Sequence, residues 1–371
     1  MPSSRLPALL LFLAGACRAT DGGPRAFVLR AHAPRVAPFD VLHYELALAL
    51  EPATRSFTAE AGIRLAALLG TAPTEVALDL VGLTVDAVTD EHGRALAFEH
   101  ARGALVIRLA EPLIASSTLA VRYHGAPATG LWFSALDADG VPTQAFTHGQ
   151  SESSRGWFPC FDAPGERATC ALTLDVPAGW TTVGPGARVA SESLGARRSE
   201  RWELDFPHPA YLVSFVAGEF AVAEELAGVT PLLYLCEPRH ESHLAATFAA
   251  TSDALDFLAE FAGTPYPYAK YAQSCVDNFP WGGMENISST TLTPQILGDE
   301  RLHRDGSPAG LIVHEAAHQW FGDLLTCADW SELWLNEGFA TYLALLWIAR
   351  EQGSEAFQAE LRELQEANLR E

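Results

Sequence analysis

HEAAHQWFGDLLTCADWSELWLNE, residues 314–337, is the stretch from which the rest of the chain is read. On a helix His314 and His318 project from one face, one turn apart, so two imidazoles can grip one metal ion. Glu315 sits beside the first His, where it can act on water at the metal rather than bind the ion. Eighteen residues separate His318 from Glu337, enough for a turn and the start of a second helix that brings a third ligand. Two His and one Glu with an open position form the ligand set of a catalytic zinc site, one ion per chain. A closed structural site would more often use Cys.

The flanking sequence supports the helices. Ser307-Pro308 has the form of an N-cap followed by a first-turn proline. A second helix is expected from about Ser331 to Arg350, with Trp334, Leu335, Phe339, Tyr342 and Leu346 at helical spacing. Upstream, Leu244–Phe261 has the same period, and Gly263 and Pro265 end it.

Before residue 228 the pattern is that of strands. HYELALAL alternates through Tyr44, Leu46, Leu48 and Leu50; FTAEAGIRL alternates through Phe57, Ala59, Ala61, Ile63 and Leu65. With EPATR as the turn between them, the two predict a hairpin. Further runs at Val76–Leu80, Leu105–Leu109 and Leu119–Tyr123, and a continuous apolar run Tyr211–Gly218, predict an antiparallel sheet domain. A strand is expected over Ala272–Phe279, followed by WGGMEN, Trp281–Asn286, whose glycines suggest a sheet edge open to an extended ligand. The fold class is therefore α+β: an N-terminal β domain over 21–228 and a metal-binding α/β domain over 229–371.

With 371 residues, 49% hydrophobic and 10% aromatic, the chain can build substantial cores. A net charge of −22 argues against nucleic acid as partner. Residues 1–20 have the form of an export leader: Arg5, an apolar stretch Leu6–Leu13, and Ala14-Gly15-Ala16 as a cleavage site. That predicts an exported protein, and Cys17 in LAGAC admits a lipid anchor. The leader is too short to cross a bilayer, and no transmembrane helix is expected elsewhere. Cys160 and Cys170 could pair in an exported protein, although an unpaired buried role is equally open.

Taken together, GGMEN, HEAAHQW and Glu337 in LNEGFA resemble the aminopeptidase N family of zinc metallopeptidases. Gln150, Arg155 and FPCFDAP at 158–164, the N-terminal hairpin and YLVSFVAGEF extend the resemblance over nearly the whole chain after the leader. The resemblance implies a saddle-like antiparallel β domain, then a thermolysin-like catalytic domain. It further implies release of N-terminal residues from peptides. Zinc would lie on His314, His318 and Glu337, with Glu315 as general base. Gln150 and Glu285 would hold the free α-amine, and Gly282, Gly283, Met284 and Asn286 would complete the substrate strand.

Several positions depart from the family pattern. Gly283 is more often Ala there, although the Gly form occurs, including in the leukotriene hydrolase branch. His148 stands where a second Gln is common, and Ala344 where an acidic residue is frequent. Family members carry a catalytic tyrosine well downstream of the third ligand, whereas this sequence ends at Glu371. An incomplete catalytic domain is therefore expected, with the apolar face Leu343–Ile348 left exposed. The readings that follow are a zinc aminopeptidase, a truncated zinc- and peptide-binding module without turnover, and a thermolysin-like endopeptidase. The last leaves Gln150 and Glu285 without a use.

Overall fold

The computed structural model describes residues 36–299, 301 and 307–368. The expected leader, with Cys17, lies outside these residues. The hairpin that opens the fold follows the alternation. Phe39–Glu51 pairs with Ser56–Ala67, Leu46 opposite Ala61 and Tyr44 opposite Ile63. Tyr44, Leu46, Leu48 and Leu50 are at most 2% exposed, and Phe57, Ala61, Ile63 and Leu65 at most 1%. The period of two puts one face of each strand into the core.

Around this hairpin runs a seven-stranded sheet in the order Ala187–Leu194, Arg197–His208, Ala168–Pro177, Phe39–Glu51, Ser56–Ala67, Ser116–Gly125, Thr84–Asp90. It is not wholly antiparallel, because Phe39–Glu51 runs parallel to Ala168–Pro177. A parallel neighbour needs a long crossover, and the residues between these strands build one smaller sheet and contribute two strands to another. One has three strands, Glu75–Asp79, Ala104–Arg108 and Phe98–Ala101; the other has four, Thr181–Val183, Val216–Gly218, Pro142–Thr147 and Leu131–Leu136. The apolar run after Pro209 is buried as expected but is not one strand. A 3-10 turn at Ala210–Leu212 precedes the short strand Val216–Gly218. Within this run the Thr147 hydroxyl accepts from the Phe215 amide (2.9 Å), and Ser154 Oγ donates to the Ala210 carbonyl (2.9 Å). Side chains thus satisfy backbone groups that a strand ladder would have paired.

The second part is built on a five-stranded sheet ordered Ala221–Ala227, Thr230–Cys236, Tyr271–Cys275, Ser289–Leu292, Gly283–Met284. Its two faces go to different places. Leu232, Tyr234, Tyr271 and Leu292 pack under the helices, against Leu255, Leu258, Ile312, Ala316 and Leu343. Leu235, Ala272, Val276 and Met284 face the N-terminal β part, against Phe146, Trp202, Leu204 and Tyr211. The sheet is thus a shared wall, apolar on both sides. The strand expected over Ala272–Phe279 ends at Cys275; the chain then turns through Asn278 at φ +57°.

Five helices among the described residues cover the outer face and its flank. The expected helix over Leu244–Phe261 is split into Leu244–Thr247 and Thr251–Ala262, and Gly263 closes it in the left-handed region at φ +64°. The ligand helix is Ala309–His318, with the Ala309 amide donating to Ser307 Oγ (3.2 Å). The second helix is Trp334–Gln352, after a 3-10 turn Trp330–Glu332 capped by Asp329, and Ser354–Asn368 follows it. The Leu343–Ile348 face is not left bare: Leu343, Leu345 and Trp347 are at most 4% exposed, and Trp347 packs edge-on to Phe257 at 5.6 Å. Helix Thr251–Ala262 covers what the sequence predicted to be open. All five described cysteines are buried, and Cys170 is free, so it does not pair with Cys160. No described helix is long and apolar enough to cross a membrane.

Leu172 lies on the central parallel strand, 0% exposed, opposite both Leu46 and Trp202. Leu172→Ala should cost about 2–5 kcal/mol, read as a lower denaturant midpoint with unchanged slope. A loss below about 1 kcal/mol would show that this strand is not central to the core.

Candidate metal and substrate site

The ligand helix and the start of the second helix bring three atoms together. His314 Nε2 and His318 Nε2 are 3.1 Å apart, and Glu337 Oε2 lies 3.4 and 3.5 Å from them. A tetrahedral ion with bonds of about 2.0–2.1 Å holds its ligand atoms about 3.3–3.4 Å apart. The triangle fits such an ion. Two imidazole nitrogens pointing at one spot, beside a carboxylate, otherwise need a proton between them.

The ring orientations are fixed from behind. His318 Nδ1 lies 3.0 Å from the Phe321 carbonyl, so Nδ1–H donates there and Nε2 keeps its lone pair for the ion. Gly322, at φ +148°, lets that carbonyl turn back, and a Cβ there would sit 3.0 Å from His318 Nδ1. His314 Nδ1 faces Thr341 Oγ1 at 3.5 Å. Asn336, next to Glu337, accepts from the Cys327 amide (3.1 Å) and donates to the Tyr211 hydroxyl (3.1 Å). That pair ties the third ligand's helix both to its own entry loop and to the N-terminal part.

Around the triangle the charge is negative. Glu285 Oε, Glu315 Oε and a His318 nitrogen form a second group whose atoms lie within 4.8 Å of one another. Glu285 and Glu315 are 2% and 4% exposed, and Glu285 Oε1 has no hydrogen-bond partner among the described residues. Burial, reinforced by Glu337, pushes the Glu285 carboxyl up to about 7, with His318 opposing. Burial raises Glu315 well above the carboxylate range; Glu285 and Glu337 add to this. His318, facing three carboxylates, is raised despite burial, whereas His314 is lowered by burial. The cluster is short of positive charge.

The segment Gly282–Asn286 runs along the edge of the five-stranded sheet. Gly283 pairs with Leu292 and Met284 with Thr291, and no further strand flanks Gly283–Met284 among the described residues. Gly283 faces the ligand helix so closely that a Cβ would lie 2.1 Å from Glu315 Oε1. The general-base candidate therefore lies directly against the edge strand. Met284 is buried in the core between the two parts, and Asn286 Nδ2 donates to Thr291 Oγ1 (3.0 Å) on the neighbouring strand. Gln150 is half-buried just beyond strand Pro142–Thr147. Its neighbour His148 stacks on Trp281 at 3.7 Å, and Trp281 directly precedes Gly282. The stack links the Gln150 segment to the edge strand.

Sequence reasoning missed several residues. Gln319 accepts from the Ser288 amide and donates to the Glu285 carbonyl. Asp323 is fully buried, with neither carboxylate oxygen hydrogen-bonded among the described residues. Lys270 is buried against Ser288. Their roles come from contacts between elements distant in sequence, and no local spacing signals them.

Comparison with known proteins finds matches in both parts of the chain. Residues 41–212 match the family described as Peptidase M1 N-terminal domain, and residues 246–370 match the Peptidase family M1 domain. Aminopeptidase B of Mus musculus is 30% identical over 337 residues, covering 82% of this chain and 49% of that protein. Aminopeptidase B of Homo sapiens is 31% identical over 257 residues, 66% of this chain and 37% of that protein. Aminopeptidase N of Streptomyces lividans is 32% identical over 229 residues, 58% and 26% respectively. The chain spans about half the length, or less, of these relatives.

His148 yields a pH prediction. Burial lowers its pKa from 6.5 to about 4, so the fold favours the neutral ring. Its contribution to stability is complete above pH 6.5 and is lost as pH falls through 4. His148→Gln should remove this share of the acid sensitivity, on the order of 3 kcal/mol, while the equally buried His208 keeps its own. Urea midpoints of both proteins from pH 6.5 to 4 would show the wild type falling more steeply. Parallel curves would contradict the assignment.

Proposed function

Because this chain belongs to the peptidase M1 family, we propose that it is a zinc-dependent aminopeptidase acting on peptides with a free N-terminus. The observation that carries the reading is the pairing of two groups in one cluster. A tetrahedral ligand triangle adjoins a buried carboxylate with an unpartnered oxygen, within reach of the same His318.

His314, His318 and Glu337 would hold the zinc; the ion supplies Lewis acidity, which polarises the scissile carbonyl and lowers the pKa of water. Glu315 takes a proton from the attacking water and delivers it to the leaving amine. Burial raises its pKa, which favours holding the proton taken from water until it is passed on. Glu285 accepts the substrate's α-ammonium. A cation there satisfies the unpartnered oxygen and returns the carboxyl to its charged form. Gln150, two residues after the His148 that stacks on Trp281, would add an amide acceptor for the same ammonium. Backbone groups of Gly283 and Met284 on the open edge are placed to pair with an extended peptide. An endopeptidase would have no need of an ammonium site, so Glu285 favours the exopeptidase reading.

The test is hydrolysis of a panel of unblocked aminoacyl-amide substrates, with metal content measured alongside. Glu315→Ala should keep one zinc per chain and lose about 10²–10⁴-fold in kcat. Glu285→Ala should raise KM for unblocked substrates. Equal hydrolysis of N-blocked peptides, or turnover that survives Glu285→Ala unchanged, would refute the aminopeptidase reading.

A further inference from the structure

The turn Glu285–Ser288 carries the proposed ammonium ligand, and its own backbone does little to hold it. One bond closes it, from the Ser289 amide to the Asn286 carbonyl (2.8 Å), and Ser288 sits at φ +61°, a conformation that favours glycine. The turn is gripped from outside instead. From strand Tyr271–Cys275 and the residue before it, the Ala272 amide (3.0 Å) and Lys270 Nζ (3.0 Å) donate to the Ser288 carbonyl, the ammonium lying over the Trp202 ring at 5.3 Å. From the N-terminal part, the Gly186 amide donates to Ser288 Oγ (2.8 Å). From the end of the ligand helix comes a single side chain, Gln319.

Gln319 is the residue after His318 and is 0% exposed. Its Nε2 donates to the Glu285 carbonyl (3.2 Å), and its Oε1 accepts from the Ser288 amide (2.8 Å) and from the Tyr266 hydroxyl (3.4 Å). One planar amide thus satisfies an acceptor at the start of the turn and a donor at its end. Lys270 and Gly186 fix the turn to other elements. Gln319 alone among these grips directly follows, as its C-cap, the helix that carries His314 and His318.

We infer that Gln319 is a positioning residue: its side-chain amide clamps the Glu285–Ser288 turn to the ligand helix and so sets where the Glu285 carboxylate stands relative to the metal ligands. The consequence for substrate rests on the ammonium role proposed above; the clamp itself does not. Methionine has a similar length but offers neither the donor nor the acceptor, so Gln319→Met releases both ends of the turn without shortening the side chain. Glutamate keeps an acceptor for Ser288 and loses the donor to Glu285.

Two readouts on the full chain, with zinc content recorded, test this. Hydrogen exchange at the Ser288 amide should quicken about 100-fold in Gln319→Met at unchanged zinc content, because the bond that protects it is gone. For unblocked aminoacyl-amides KM should rise about tenfold with a smaller change in kcat. In a Glu285→Gln background the same substitution should change KM less than about twofold, because the group it positions is already altered. Equal KM factors in both backgrounds, or unchanged exchange at Ser288, would overturn the inference; so would loss of zinc in Gln319→Met. If Gln319→Met does not fold, Gln319→Glu serves in its place, with the KM comparison as the deciding readout. If the wild type releases no N-terminal residue, the aminopeptidase reading fails and the exchange rate alone decides the clamp.

Discussion

The structure depends on three buried or half-buried carboxylates that meet two imidazoles in one place. Among the described residues, the cationic partners within ion-pair distance of Glu337 are His314 and His318, at 3.4 and 3.5 Å. No Lys or Arg side chain among these residues forms an ion pair with Glu285 or Glu315. An uncompensated buried charge is costly, and such a group either takes a proton or acquires a cation. The raised carboxyl pKa values of Glu285 and Glu315, and the raised pKa of His318, express that shortage of positive charge. A divalent ion on the triangle and an ammonium on Glu285 would meet it in two separate ways.

The rest of the fold holds this arrangement from both sides. The five-stranded sheet presents one apolar face to the helices that carry the ligands and the other to the N-terminal β part. Because both faces are covered, the edge strand Gly283–Met284 cannot shift without disturbing one core or the other. Polar contacts fasten the same elements: Asn336 to Tyr211, Lys270 to Ser288, and Arg167 Nη2 to the Asp323 carbonyl at 2.9 Å. The N-terminal part therefore helps set the geometry of a site whose metal ligands all lie elsewhere in the chain. Met284, buried between the two parts, lies on that seam.

Much of this was legible in the sequence because it is periodic or local. The i, i+4 histidines on one helix face, the left-handed Gly263 stop and the alternation through Tyr44–Leu50 all act within a few residues of themselves. What escaped depends on neighbours far along the chain. The parallel pairing of Phe39–Glu51 with Ala168–Pro177 is set by what fills the crossover, not by either strand's pattern. The Tyr211–Gly218 run is apolar enough for a strand, but Ser154 and Thr147 bond its backbone into a turn and a short strand. Trp347 had no visible cover until Phe257 was placed beside it. Gln319 directly follows the ligand helix, and its importance lies in partners thirty or so positions upstream.

The most direct test of the account is to locate the metal. Diffraction from zinc-loaded crystals at the zinc absorption edge should give one anomalous peak per chain, bonded to His314 Nε2, His318 Nε2 and a Glu337 carboxylate oxygen at about 2.0–2.2 Å. Glu285 and Glu315 should remain outside the bonding distance. A peak held instead by Glu285, Glu315 and His318, the alternative group in the same cluster, would remove both the proposed base and the ammonium ligand from their roles. Absence of any peak at the His314–His318–Glu337 triangle would contradict the account at its root.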